Sequence, residues 1–203
     1  MVKNLIFDLG GVILDLAVPR TLGGFSRLSG IAPGKVTEMF KDSEGFLHFE
    51  RGTMEVDEFR EFVRSLYKIK ASDEQLDECW NAMLLSIPEE RLQLLRKLKD
   101  KHQTFLLSNT NTIHLDFINT QVLPRLNGVA SLDDYFHRTY YSHLMGTRKP
   151  EAEIFNRVLE ENGLVAEETL FLDDNADNIE GAKKLGIQTA FVNTPNFILD
   201  YFS

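Results

Sequence analysis

In Val2-Lys3-Asn4-Leu5-Ile6-Phe7-Asp8-Leu9-Gly10-Gly11-Val12 a short apolar run ends in an aspartate and, one residue on, a glycine pair. A run of that length, closed by glycines, reads as a buried strand that delivers its last side chain into a turn. In open parallel α/β sheets, ligands bind just beyond the carboxyl ends of strands. Asp8 is therefore a candidate for chemistry rather than packing.

Outward from that strand the pattern changes twice. From about Asp15 to Ser86 strand-like runs vanish, and helical periodicity appears in Pro33–Lys41, Val56–Tyr67 and Asp73–Leu85. Val56, Phe59, Phe62, Val63 and Leu66 fall on one helical face. Ser72, with Gln75 three residues on, has the form of a capping box. From Pro88 strands and helices alternate. Helices are expected over Pro88–Lys101, Pro150–Asn162 and Ala176–Leu185, and strands over Thr104–Leu107, Tyr135–Tyr141, Thr169–Leu172 and Ile187–Val192. Such alternation implies a parallel sheet covered by helices on both faces. The expected division is an α/β core of residues 1–15 and 87–203, with residues 16–86 inserted as a small helical cap.

The 203 residues suffice for one core with a small appended domain. A net charge of -9, with no run of Lys and Arg, excludes wholesale binding to a nucleic-acid backbone. No apolar stretch approaches the roughly 20 residues of a membrane span, and no signal-peptide pattern opens the chain. The single cysteine, Cys79, permits no internal disulfide, which is the usage expected in a reducing cytoplasm. Nothing in the composition speaks to oligomeric state.

The ends of the strands carry the polar residues. They are Asp8, Ser108-Asn109-Thr110-Asn111 and Asp173-Asp174, with Lys149 just before the Pro150 helix. In a parallel sheet these ends converge on one edge. Three carboxylates gathered in a low-dielectric crevice need a cation or a shifted proton. Oxygen-only ligands suit a hard ion, and Mg²⁺ takes one or two carboxylates plus substrate phosphate and waters. Lys149 adds a fixed positive charge, and Ser108 a hydroxyl donor. Together they read as a phosphate site with a carboxylate nucleophile in line. Each element also has a plainer reading. Asp8 could cap a turn, Asp173-Asp174 a helix, and Ser108–Asn111 could form a polar turn. Lys149 and Arg148 could be solvated surface residues, Arg148 otherwise bracing an acidic neighbour. Their occurrence in order, each at a strand end, favours the site.

Phe7-Asp8-Leu9-Gly10-Gly11-Val12, Leu107-Ser108-Asn109-Thr110-Asn111, Arg148-Lys149-Pro150-Glu151 and Phe171-Leu172-Asp173-Asp174-Asn175-Ala176-Asp177-Asn178 resemble the four ordered motifs of the haloacid dehalogenase (HAD) superfamily. The resemblance spans nearly the whole chain, and the helical insertion is similar to the cap of one HAD subclass. Ser108-Asn109-Thr110-Asn111, the stretch from Asp173 to Ala182, His48-Phe49-Glu50-Arg51-Gly52 and Asp200-Tyr201-Phe202 further resemble bacterial alpha-D-glucose-1-phosphate phosphatases. The resemblance implies that Asp8 attacks phosphorus and forms an aspartyl-phosphate. It also implies that Asp8, the Gly10 carbonyl and Asp174 ligate Mg²⁺ with Asp173 in support, and that Ser108, Asn109 and Lys149 hold the phosphate.

One position departs from that pattern. Most HAD phosphatases carry a second aspartate two residues after the nucleophile as general acid and base, where this chain has Gly10. Such help is worth about 10² to 10⁴ in rate. Its absence favours leaving groups that depart with little protonation, such as an anomeric sugar hydroxyl, and disfavours a phosphomutase. A dehalogenase is disfavoured too, because halide displacement needs no metal. His48 and Glu50 are the cap residues considered as replacement acids, against a plainer reading in which His48 packs among Phe46, Leu47 and Phe49. The expected activity is a Mg²⁺-dependent phosphatase for a small phosphorylated metabolite. The competing expectation is a catalytically weak HAD-like protein used for binding or regulation.

Overall fold

The structure is a computed structural model that describes residues 1–126 and 128–203. Strand β1 (Asn4–Phe7) is followed by five helices: α1 (Val18–Ser29), α2 (Pro33–Asp42), α3 (Gly45–Glu50), α4 (Val56–Tyr67) and α5 (Asp73–Asn81). Then come α6 (Glu89–Lys99), β2 (Gln103–Ser108), α7 (Thr112–Phe117), β3 (Arg138–Tyr141), α8 (Ser142–Met145) and α9 (Ala152–Asn162). The chain finishes with β4 (Thr169–Asp173), α10 (Ala176–Lys183), β5 (Gln188–Phe191) and α11 (Phe197–Tyr201). All five strands are parallel, in the order β3-β2-β1-β4-β5. The connections run outward from β1 in both directions, so the switch point falls between β1 and β4, where crevices form.

The strands are continuously apolar because both sheet faces are covered. Side chains of successive residues alternate between faces. Leu5, Phe7, Leu106, Leu170 and Leu172 enter one buried cluster with Leu92 and Leu95 of α6. Ile6, Phe105, Leu107 and Phe171 enter the opposite cluster with Ile154, Phe155 and Val158 of α9 and Ile179 of α10. The helices between β1 and α6 enclose an aromatic cluster of their own, including Phe25, Phe46, Phe49, Phe59, Tyr67 and Trp80. Phe202 seals the end of the chain onto the core, its ring 6.2 Å from that of Phe7, while Tyr201 stays exposed.

Local sequence explains most boundaries. The Ser72 side chain accepts from the Gln75 amide while the Gln75 side chain accepts from the Ser72 amide, the expected capping box. The helix from Asp73 stops at Asn81 rather than Leu85. Residues beyond it pair with the exit from β1: Ala17 N donates to Met83 O, Leu85 N to Asp15 O and Asp15 N to Ser86 O. The two chain crossings between sheet and helices thus lie side by side, with Leu16 opposite Leu84 in an antiparallel bridge. The strand expected from Tyr135 begins only at Arg138, because Ser131 caps a 3₁₀ turn over Leu132–Tyr135. Helix α1 escapes the periodicity reading through Gly23-Gly24. A Cβ on Gly24 would stand 2.9 Å from Cys79 Sγ, so the glycine is what lets α1 meet α5. Among the described residues, no helix is long and apolar enough to cross a membrane.

Candidate active site

Asp8 follows β1 directly, and its amide donates to Leu172 O at 2.9 Å, which locks the turn against β4. Register places Phe7 beside Leu106 and Leu172. The next residues of the three central strands therefore emerge together, and they are Asp8, Leu107-Ser108 and Asp173-Asp174. Lys149 reaches the same point from the loop before α9. Its Nζ donates to Asp8 Oδ1 at 2.6 Å and to Asp173 Oδ2 at 2.7 Å. Lys149 is 1% exposed and Asp173 is 0% exposed, so this lysine is no surface residue.

Asp173 has no oxygen to spare. Asn178 Nδ2 lies 3.1 and 3.0 Å from its two oxygens, and the Asn175 amide donates to Oδ1 at 2.7 Å. Its carboxylate is committed to holding Lys149 and the start of α10, where Asn175, not an aspartate, supplies the N-cap. Asp174 is the more open of the pair. Gly11, at φ +75°, makes room for it: a Cβ there would lie 2.1 Å from Asp174 Oδ2. One carboxylate oxygen each of Asp8, Asp173 and Asp174 falls within 4.8 Å of the others.

Three carboxylates against one ammonium leave the cluster short of positive charge. Burial pushes the Asp8 carboxyl up to about 7, with Asp173 and Asp174 adding to the rise and Lys149 opposing it. Burial and then Asp173 also raise Asp174. Burial alone would lower Lys149, but Asp173 and Asp8 hold it above its ordinary value, so it stays charged. An oxygen-only donor set with unbalanced negative charge fits a small hard cation.

Opposite these carboxylates, β2 ends in Ser108, which is buried. Asn109 is fixed by a reciprocal pair: its Nδ2 donates to Lys149 O at 2.9 Å, and its Oδ1 accepts from Lys149 N at 2.9 Å. The loop after β2 and the lysine loop are thereby one unit. Asn111 caps α7, and its side chain also accepts from Trp80 Nε1 at 3.3 Å, tying α5 to the sheet. His114 stacks on Trp80 with centroids 4.6 Å apart, and its ring nitrogens lie 3.2 Å from Trp80 O and from Asn111 Nδ2. Burial lowers His114 to about 4, so it is neutral.

A cavity of about 370 Å³ joins these groups to the inserted helices. Asp8, Gly10, Ser108, Asn109, Lys149 and Asp174 line its floor. Leu16, Val18, Phe40, Met83 and Leu84 line it with hydrocarbon, and Trp80, His114, Glu50 and Arg148 complete that side. At Gly10 the space of a longer side chain is already taken, since a Cβ there would lie 2.6 Å from Leu16 Cδ1. His48 is exposed and bonded to Thr53, neither packed among the phenylalanines nor lining the cavity. Sequence reasoning left out the cavity-facing role of Arg148 and the supporting roles of Asn175 and Asn178. The Asp173-to-Asn178 run held the only signal for the last two.

A parallel sheet that gathers Asp8, Ser108, Lys149 and Asp174 at one edge, with helices inserted after its first strand, defines a hydrolase of the haloacid dehalogenase type. Residues 2–186 match the family of haloacid dehalogenase-like hydrolases, and the chain belongs to it. It is 28% identical over 190 residues to a D-ribitol-5-phosphate phosphatase of Bacteroides thetaiotaomicron, covering 93% of this chain and 91% of that protein. A HAD family enzyme from Bacteroides thetaiotaomicron, crystallised with magnesium and inorganic phosphate, is 38% identical with a TM-score of 0.84 over 94% of each chain. A predicted HAD-like family hydrolase from Porphyromonas gingivalis is 28% identical, with a TM-score of 0.87 over 99% of this chain and 97% of that one.

Proposed function

We propose that this chain is a Mg²⁺-dependent phosphatase of small phosphorylated metabolites that works through an aspartyl-phosphate on Asp8. Residues 1–15 and 87–203 form its catalytic core, and residues 16–86 are a cap over the substrate. The observation that carries the reading is the buried Lys149, bonded at once to Asp8 and Asp173 on the floor of the cavity. A binding module has no use for a carboxylate pinned in that way.

In the reaction, an Asp8 oxygen attacks phosphorus and the bond to the leaving oxygen breaks. Water then attacks phosphorus and breaks its bond to Asp8, restoring the carboxylate and releasing phosphate; the proton that water gives up balances, through solvent, the one taken up by the departed oxygen. Lys149 offsets charge on the nucleophile and on the phosphate, and Asp173 fixes its position. Ser108 and the Asn109 amide donate to phosphate oxygens. Asp8, Asp174 and the Gly10 carbonyl would hold Mg²⁺, whose charge lets a carboxylate approach a phosphate dianion. With Leu16 filling the space beside Gly10, no side chain there can protonate the leaving group. Esters of the more acidic hydroxyls are therefore favoured, and a sugar phosphate such as glucose-1-phosphate meets that demand. The similarity to a D-ribitol-5-phosphate phosphatase supports the broader class of hydroxylated carbon phosphates.

The test is hydrolysis of a chromogenic aryl phosphate with and without Mg²⁺, for wild type and for Asp8→Asn. Turnover is expected only with the metal, and the variant is expected to be inactive. Activity that survives in Asp8→Asn overturns the covalent route. A wild type inert toward every ester favours the alternative of a binding or regulatory protein. Mg²⁺ affinity is also expected to fall with pH, because a proton that leaves Asp8 only near 7 competes with the ion. The loss should be about tenfold between about pH 8 and pH 6. Calorimetric titrations that give equal affinities at the two values would refute this assignment.

A further inference from the structure

Arg148 stands beside the catalytic lysine, yet none of the steps above uses it. Its Nε donates to Glu50 Oε2 at 2.9 Å across the gap between the sheet and α3. Both residues line the cavity that holds Asp8. Neither terminal nitrogen of the guanidinium has a hydrogen-bond partner among the described residues. They are not sealed off either, since Arg148 is absent from the buried atoms that lack partners. The arginine is thus oriented by one nitrogen and has two donors to spare.

Glu50 is fixed independently. Ser142 Oγ lies 2.6 Å from Glu50 O, and the neighbouring Arg51 pairs with Glu151, two residues beyond Lys149. Gly52, at φ +69°, lets this segment press on α8, where a Cβ would lie 2.1 Å from His143 O. The segment Glu50-Arg51-Gly52 is therefore docked on the lysine loop by crossed ion pairs and backbone contact. Burial raises Glu50 against the influence of Arg148.

Around this pair the inserted segment offers a leaving group chiefly hydrocarbon, from Leu16, Val18, Phe40, Met83 and Leu84, while Trp80 and His114, which also line the cavity, already spend their ring nitrogens on Asn111 and on Trp80 O. A leaving group bonded to phosphorus above Asp8 would meet carbon on that side and a guanidinium on the other. We propose that Arg148, oriented by Glu50, reads the leaving group by donating to its hydroxyl oxygens. It thereby selects phosphate esters of hydroxylated carbon chains or rings over esters of bare hydrocarbon. The proposal rests on the phosphatase reading above and names the substrate class of the same site. Arg148 in this role is a specificity-determining residue, and Glu50 is its positioning residue.

The experiment compares kcat/KM for ribitol-5-phosphate and glucose-1-phosphate with that for phenyl phosphate, all with Mg²⁺. Wild type, Arg148→Ala, Arg148→Lys and Glu50→Gln are measured, and thermal melts establish that each is folded. Hydrogen bonds to charged donors are strong enough that Arg148→Ala should lower the ratio of hydroxylated to aryl kcat/KM by about 10- to 100-fold. The loss should lie chiefly in KM for the hydroxylated ester. Arg148→Lys, which keeps the charge but cannot serve Glu50 and substrate from one planar fork, should not restore the ratio. Glu50→Gln should shift it in the same direction by less. A ratio that stays within a factor of about three in Arg148→Ala, whether or not both rates fall together, overturns the proposal. So does a wild type that hydrolyses phenyl phosphate but neither hydroxylated ester. A wild type that hydrolyses none of the three sinks the phosphatase reading itself.

Discussion

Lys149→Met is expected to abolish turnover and to cost about 3–5 kcal/mol of stability, the usual result of removing one partner from a buried charge pair. The ammonium is 1% exposed and holds Asp8 and Asp173 at 2.6 and 2.7 Å. Methionine has similar reach and no charge, so two buried carboxylates would lose their shared partner. The catalytic loss should reach about 10³-fold or more, since in the proposed reaction the same charge would face the phosphate. The stability deficit should also depend on pH. Without Lys149 the remaining influences on Asp8, burial and its acidic neighbours, all push its pKa upward. A carboxyl whose folded pKa is raised loses stabilising protonation as pH climbs from the unfolded value, about 3.9, through the folded one. Because the wild-type carboxyl itself titrates only at about 7, the deficit should be largest well above neutral pH and shrink on acidification to about that value, below which Asp8 is protonated in both proteins. Thermal melts showing the same deficit at both ends would contradict this account of the pair.

Gly11→Ala should also be severe, although it adds only one methyl group. Two penalties coincide there. The backbone sits at φ +75°, where an L side chain costs about 1–2 kcal/mol. The new Cβ would overlap Asp174 Oδ2 at 2.1 Å and force that carboxylate away from Asp8. Displacing one donor of a metal site commonly costs about 10- to 100-fold in affinity or activity. Mg²⁺ affinity is therefore expected to drop well beyond what the stability change explains. Gly30→Ala separates the two penalties, because Gly30 has φ +71° and nothing within 4 Å of its Cβ position. That variant should lose stability and keep its response to Mg²⁺. If Gly11→Ala binds the ion as tightly as wild type, the steric argument at Asp174 is wrong.

The core was readable because its pattern is local. Phe7-Asp8-Leu9-Gly10-Gly11 carries its turn chemistry within a few residues, and the apolar strands declare their burial by composition alone. The Ser72–Gln75 box was readable for the same reason. Other features depend on partners distant in the chain. That Asp173 serves Lys149 and Asn178 with both oxygens is a three-dimensional fact, invisible in Asp173-Asp174 as written. His48 sits among three apolar neighbours in sequence, but helical geometry turns it outward to Thr53 while Phe46 and Phe49 point inward. Helix α1 hides behind two glycines whose purpose is contact with α5. The importance of Leu16 beside Gly10 emerges only once the loop has closed. The absence of an acid was legible, but its replacement by hydrocarbon was not.

The paired crossing at Leu16 and Leu84 also bears on how such a molecule can diverge. Where an excursion leaves and re-enters at the same spot, its length and contents can change without disturbing strand register, since the ends to be joined already abut. Glu50 and the apolar residues beside it can thus be exchanged from the excursion while Asp8, Lys149 and Arg148 keep their places on the other side.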